Sequence, residues 1–503
     1  MKALNYANAA KFLYDFEHER FETLKEIHFH GYNAWHLLKF CVYFHAIYPP
    51  RSIGELTLKQ SKIKKIFFYL LDFLKLIICI IRLFFKAKGE KLTLFFSLSI
   101  NKRKNSHSNK YYDILFDSFI AEKHITNYGY IEIPHLNNFK NLSHIKKDGS
   151  ARFLFFLSSC LTFLIKKRKK TKCIALCIKK ELDIYCCQQG VVIDINASNL
   201  IVSLARFRSE YIVFNLFFRI IKPHLVFFAD QSATGKMAAA LSSNAKVIEF
   251  QHGLLDEYYP HYIHSPLFKT IKKDLIIPTK IALFGDYYKN MLLKKNYKDE
   301  GDFFVIGSFP MHLQRIQKTA RVDSNNEPIK LFFPTQGKLI FEKTKNLLQA
   351  IRGCFNDKTY LVIKPHPNET EENKEWFKKY CNKDFFNFLD DVRSIEDFIM
   401  DATIVIGFDS TTLLETIGLG KPAITIASPE LPKGIHSLIN TTDLEDSIKV
   451  CQPIKEELDD ILKQYKENSF FKEKWLYNIK KHSTYIYADD YINKCKQLIQ
   501  NVM

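Results

Sequence analysis

The residues best equipped for chemistry in this chain stand at the ends of apolar, strand-like runs. TYLVIK ends in Lys364-Pro365-His366-Pro367, where a proline on each side of His366 restricts the backbone and holds one cation and one imidazole outward. That pair suits a diphosphate, or a phosphate that departs. TIVIGFD delivers Asp409-Ser410-Thr411-Thr412 to a predicted helix that continues LLETIGLG. Its hydroxyls are ordinary helix caps, and the same helix start offers free N–H groups and a positive dipole end to phosphate. Glu415 follows about one turn later, within reach of the sugar hydroxyls of a nucleoside, and Gly418 and Gly420 close the helix. A third run, IKLFF, ends in Pro334-Thr335-Gln336-Gly337-Lys338, a loop whose backbone can approach phosphate. Lys364, His366, Gln336, Ser410, Thr411 and Thr412 are thus the candidate phosphate ligands, and Glu415 the candidate nucleoside ligand.

The first half of the chain carries a different set. KVIEF ends in Gln251-His252-Gly253, and His252 is placed to take a proton from a hydroxyl or to orient a bound group. Asp230, which ends HLVFFAD, and Glu257 are carboxylate rivals for the same role, and the residue pattern leaves the choice of base open. Ala233-Thr234-Gly235-Lys236 has the look of a P-loop end, but the upstream glycine is missing and Met237 replaces the hydroxyl, so an ordinary helix start is expected. No D-x-D closes a strand, and Asp390-Asp391 lies in an acidic turn, so a metal-independent reaction without cofactor is expected. Cys173, Cys177, Cys186 and Cys187 are too irregularly spaced for a zinc site and read as buried structural thiols.

Loops of this kind need a parallel sheet to carry them. Strands with few polar positions alternate with helices from about residue 92 onward, which implies sheets covered on both faces. The expected architecture is α/β: an N-terminal helical segment over 1–90, a Rossmann-like domain over 91–315, a second over 328–480, and a terminal helix over 481–503 that crosses back to the first. A polar stretch over 317–328 is the expected linker. Within the first domain the pattern predicts a helix over 111–122, strands over 173–177 and 191–195, and a long helix over 197–221.

The 503 residues carry a net charge of +19. Residues 331–503 hold 23 Lys and Arg against 26 Asp and Glu, which leaves 50 against 28 in residues 1–330, so the basic surface belongs to the front of the chain. Anionic lipid or an acidic glycan fits it better than nucleic acid, because no basic motif is interleaved with aromatics and no DNA-reading helix is present. The stretch 66–85 is long and apolar but contains Asp72, Lys75 and Arg82; on a helix its charges gather in one narrow stripe, the pattern of a helix that lies in a membrane interface or is buried with its stripe to water. The apolar run RFLFFLSSCLTFLI meets five successive basic residues, Lys166 to Lys170, and could extend a membrane-facing patch. Scattered cysteines and an opening without an apolar signal core lead to the expectation of a cytoplasmic protein, peripheral on the inner face of a bacterial inner membrane.

Taken in order, QHG, FGDYY, VIGSFP, PTQG, KPHP and GFDSTTLLETIGLGKP resemble the motifs of bacterial capsule polysaccharide biosynthesis glycosyltransferases over about residues 225–430. That family is similar to the CDP-glycerol glycerophosphotransferases of teichoic acid synthesis and, more remotely, to bacterial sialyl- and polysialyltransferases with their His-Pro motif. The resemblance implies a GT-B fold, two Rossmann-like domains facing a cleft, with the nucleotide-sugar donor on the C-terminal domain and a lipid-linked or polysaccharide acceptor on the N-terminal one. It carries donor-phosphate binding onto Lys364, His366, Ser410 and Thr411, ribose binding onto Glu415 and a cleft role onto His252. It tilts the donor towards a CMP-sugar such as CMP-Kdo or CMP-sialic acid, used to build capsule or lipopolysaccharide. A polyol-phosphate transferase of the CDP-glycerol type and a non-catalytic scaffold of a polysaccharide assembly complex are the rival readings.

Overall fold

The computed structural model describes residues 2–3, 6–47, 62–98, 102–104, 111–133, 145–229, 234–251, 253, 255, 258–294, 298–317, 327–337, 341–366, 369–381, 386–388, 393–408, 410–427, 444 and 446–502. Runs such as LVFF and IVIG lack polar alternation, so a strand made of them must be covered on both faces. Two parallel sheets satisfy this. The first contains β1 (Thr93–Leu98), β2 (Tyr128–Ile133), β3 (Gly149–Ser150), β4 (Leu225–Phe228), β5 (Lys246–Phe250), β6 (Lys280–Leu283) and β7 (Phe303–Val305), in the spatial order β7-β6-β5-β4-β1-β2-β3. The second contains β8 (Ile329–Pro334), β9 (Thr359–Lys364), β10 (Phe386–Phe388), β11 (Ile404–Gly407), β12 (Ala423–Ile426) and β13 (Ile448–Cys451), ordered β10-β9-β8-β11-β12-β13. Every pairing within both sheets is parallel. Numbered from its own first strand, the second sheet reads 3-2-1-4-5-6, the Rossmann order, and the first reads the same with a seventh strand added beyond the sixth; the reversal lies between β1 and β4 in one and between β8 and β11 in the other.

Helices α1 (Tyr6–Glu19), α2 (Ala34–Ile47) and α3 (Lys62–Gly89) precede the first sheet, and α4 (Arg152–Ile165), α5 (Lys169–Gln188), α6 (Ala197–Ile221) and α7 (Thr234–Ser242) fill the stretch between β3 and β5. One apolar core joins them: Phe16, Trp35 and Leu38 of the front helices share it with Leu94 and Phe96 of β1 and Phe214 and Phe218 of α6. After α8 (Asp286–Lys294) and α9 (Phe309–Gln317) the chain enters the second domain, where α10 (Phe341–Ala350), α11 (Glu371–Cys381), α12 (Ile395–Asp401) and α13 (Thr411–Gly418) alternate with the strands. The last helices are α14 (Lys455–Glu467), α15 (Ser469–Ile486) and α16 (Tyr491–Val502). Helix α16 returns to the first domain, where Tyr491, Cys495 and Leu498 enter the core around Phe95 and Phe227, and the Tyr491 hydroxyl donates to Leu115 O at 3.1 Å. The return is close: Gly285 lies so near the chain that a Cβ there would collide with the Tyr485 and Ile486 carbonyl oxygens.

Several local expectations are corrected. Residues 173–177 belong to α5, not to a strand; Ala175, Ile178, Leu182, Tyr185 and Cys186 are buried at helical spacing, a periodicity that a five-residue window is too short to reveal. Of the four clustered cysteines only Cys186 is buried, while Cys173, Cys177 and Cys187 are exposed. The expected helix over 111–122 starts as a strand, Tyr111–Asp113, antiparallel to Lys102–Lys104. Asp113 accepts from the Leu115 and Phe116 N–H groups at 2.9 and 3.1 Å and turns the chain, so the helix runs only over Asp117–Ala121. Of 191–195 only Val191–Val192 is strand, paired with Lys2–Ala3 outside both main sheets.

Candidate active site

The three phosphate-loop candidates follow β9, β8 and β11, which are adjacent and parallel, so all three loops leave the same edge of the sheet. The outer two are separated by two strand spacings, about 10 Å, at the point where strand order reverses. One buried carboxylate ties two of them together. Glu369, 7% exposed, accepts from Thr335 Oγ1 at 2.7 Å, from the Gly337 N–H at 3.0 Å and from Asn373 Nδ2 at 2.9 Å. Thr335 Oγ1 in turn accepts from the His366 N–H at 2.8 Å. Gly337 has φ +85°, so the turn that aims its N–H at Glu369 requires glycine.

Gln336 and His366 are half-buried beside this joint. Burial lowers the His366 pKa against the pull of Glu369, which favours the neutral imidazole. The Lys364 ammonium lies 4.6 Å from the centre of the Phe398 ring. Ser410 caps α13 by accepting from the Thr412 N–H at 3.2 Å, Thr411 is exposed and Thr412 is buried. The cap is therefore real, and the hydroxyl proton of Ser410 remains available to an acceptor beyond the helix.

Glu415 faces the first domain. Burial and the nearby Glu396 carboxylate raise its pKa to about 7, against the opposing charge of Arg103 from the first domain. Glu396 is 5% exposed, and its Oε2 has no hydrogen-bond partner among the described residues. The Tyr112 phenol is pushed upward by burial and by Glu396, so Tyr112 and Arg103 of the first domain lie within electrostatic reach of two second-domain carboxylates. The ribbon that carries Arg103 is firmly held: Lys102 pairs with the buried Glu132 at 2.6 Å, and Asp113 accepts from the Tyr130 hydroxyl at 2.7 Å.

The loop after β5 reaches the same place. Gln251, fully buried, accepts from the Phe284 N–H at 2.9 Å and donates to Gly253 O at 2.9 Å. It also bonds Tyr288, which bonds Tyr487 of the returning chain; both phenols are held protonated by burial, with Glu415 adding to the effect. A hydrogen-bonded chain thus runs Gln251, Tyr288, Tyr487, and Glu415 lies within electrostatic reach of its two phenols. His252, Asp230 and Glu257 lie outside the described residues. Lys236 is buried 4.8 Å over the Phe155 ring, at the ordinary helix start of α7. Glu369, Glu396, Arg103 and Tyr112 were not singled out in the sequence.

The chain is therefore a two-domain α/β protein of GT-B architecture: paired Rossmann-like domains, the phosphate-loop candidates on one sheet edge of the second, and a last helix returning to the first. No protein-family model matches it, and no curated protein does. Among solved structures it is similar to the UDP-N-acetylglucosamine 2-epimerase of Neisseria meningitidis bound to UDP-GlcNAc, at 14% identity and a TM-score of 0.44 over 82% of this chain and 98% of that one. It is also similar to Anabaena HepE in complex with UDP and glucose, at 10% identity and a TM-score of 0.42 over 82% and 99%. MurG of Acinetobacter baumannii matches at 9% identity and a TM-score of 0.43 over 82% and 100%.

Proposed function

We propose that this protein is a glycosyltransferase that moves a sugar from a nucleotide-sugar donor, a CMP-sugar in preference to a UDP-sugar, to a growing capsule or lipopolysaccharide glycan. The supporting observation is the convergence of three loops, two of them joined by Glu369, on the strand-order reversal of the second sheet, opposite Gln251, Tyr112 and Arg103 of the first domain. The donor diphosphate or monophosphate lies against Lys364, the His366 N–H, Gln336 and the α13 N-terminus with Ser410, Thr411 and Thr412. Glu415 and Glu396 accept hydrogen bonds from the nucleoside. An acceptor hydroxyl on a lipid-linked glycan attacks the anomeric carbon; the new C–O bond forms as the bond to phosphate breaks, and the proton passes to a base among His252, Asp230 and Glu257. Positive charge from Lys364 and the helix end stabilises the departing nucleotide.

The test is a nucleotide panel on the full chain. CMP or CDP is expected to raise Tm by about 3 °C at a hundred-fold excess over Kd, more than UMP or UDP. Release of nucleotide from CMP-sugars but not from CDP-glycerol is the expected activity, with glycan product containing no added phosphate. Phosphate in the product would establish polyol-phosphate transfer instead. Glycan production undiminished by His366→Ala together with His252→Ala would establish a scaffold.

A further inference from the structure

The first domain leaves a broad apolar face uncovered. From residue 71 onward the side chains of α3 divide into three arcs at about 100° per residue. Leu76, Cys79 and Leu83 are buried, Leu83 over Gly129 of β2 and Cys79 over Gly149 of β3. Lys75, Arg82 and Lys86 form a polar arc. On the widest arc Phe73, Leu74, Ile78, Ile81 and Phe85 are exposed at 40%, 49%, 49%, 49% and 66%. Helix α4 repeats the pattern: Leu154, Ser158 and Ile165 are buried, and Leu157, Phe163 and Leu164 are exposed at 37%, 53% and 60%. The two apolar faces join where Phe73 meets Phe153 at 5.0 Å between ring centres and Phe153 meets Phe156 at 5.7 Å.

Cations mark the end of each helix remote from this junction. Lys88 lies 4.7 Å over the Phe84 ring, and Lys166 and Lys167 lie 4.6 and 4.4 Å over the Phe163 ring. Their stems follow apolar surface while the ammonium groups stay at its rim, the geometry of side chains that snorkel to a polar interface. The one acid on α3 is Asp72, and it faces Arg152 at 3.6 Å; α4 has none. The face is therefore apolar and cationic without a free negative charge, and a second copy of this chain would set like charge against like. None of the described helices is long and apolar enough to cross a membrane, so an apolar environment must be met side-on.

We propose that α3 and α4 dock flat onto an anionic lipid bilayer, the apolar arcs entering the acyl boundary and Lys75, Arg82, Lys88, Lys166 and Lys167 meeting headgroup phosphates. This surface is independent of the donor reading. Full-length protein is sedimented with phosphatidylcholine vesicles with and without phosphatidylglycerol. Binding is expected only with the anionic lipid, falling with added salt and about five-fold for each of Lys166 and Lys167 changed to Gln. Ile78→Glu with Phe85→Glu is expected to weaken it more than ten-fold. Both positions are exposed, so an unchanged Tm and an unchanged nucleotide-induced Tm shift certify the fold and separate this test from that of the donor site. Wild-type protein left in the supernatant with both vesicles overturns the proposal, as does equal sedimentation of the double Glu variant. A dimer in light scattering that this variant dissociates also overturns it, by assigning the face to a second copy.

Discussion

Glu415 is held close to half-protonation at neutral pH, first by burial and then by the Glu396 carboxylate, and its two forms offer a nucleoside different hydrogen bonds. Ionised, it accepts from two donors; protonated, it spends one oxygen as a donor and loses most of its attraction for sugar hydroxyls. Nucleotide affinity measured by calorimetry is therefore expected to rise with pH through about 7. Removing the like charge in Glu396→Gln stabilises the ionised form of Glu415, so the inflection moves to lower pH. Glu415→Gln abolishes the inflection and weakens binding roughly ten-fold, the worth of a hydrogen bond to a charged acceptor. An affinity profile identical in all three proteins would exclude Glu415 from the nucleoside site.

At the scale of elements, the loops after β8 and β9 behave as one unit because Glu369 binds both. Glu369→Ala strands the Thr335 hydroxyl, the Gly337 N–H and the Asn373 amide in a buried place, at a cost of about 3 kcal/mol in a urea melt, and it weakens nucleotide binding by releasing the His366 turn. A variant with wild-type midpoint and wild-type affinity would show that the loops hold their shape without it. The strands that carry PTQG, KPHP and FDSTT were legible in the sequence because buried parallel strands read as unbroken apolar runs, and the loops follow at their ends. Glu369 was not legible, since its meaning comes from residues 335 and 337, about thirty positions away, that only strand pairing brings alongside. Arg103 and Glu396 escaped for the same reason: one belongs to each domain, and neither sits in a distinctive motif. The α5 run around Cys173 and Cys177 misled because a few apolar residues cannot tell a period of two from 3.6.

For the molecule as a whole, the front helices act as a brace for the chain that follows β5. Glu17 of α1, fully buried, accepts from the Trp35 indole at 3.0 Å, pairs with Lys39 of α2 at 3.0 Å, and bonds His264 at 3.0 Å and the Ser265 N–H; Lys39 also donates to Ile263 O at 2.6 Å. Burial alone would raise the Glu17 pKa, but Lys39 and His264 outweigh it and hold the group near 2. His264 is lowered to about 4 by burial and then by Lys39, with Glu17 opposing, so its ring is neutral in the folded state at neutral pH. Below its ordinary value of 6.5 the unfolded chain protonates this histidine while the folded one does not, so stability falls as pH drops from 6.5 to 4. The Glu17 contribution, present above 4.5, is lost from there down to about 2. Both slopes run the same way, and the first amounts to about 3 kcal/mol by pH 4. His264→Gln should be less stable than wild type at pH 8 yet lose less between pH 6.5 and 4 in denaturant melts. Because the braced chain continues from the His252 loop, hydrogen exchange over 258–265 should quicken in acid before the second domain opens. Parallel acid limbs in the two proteins, or acid opening that begins in the second domain, would show that the brace does not carry this pH dependence.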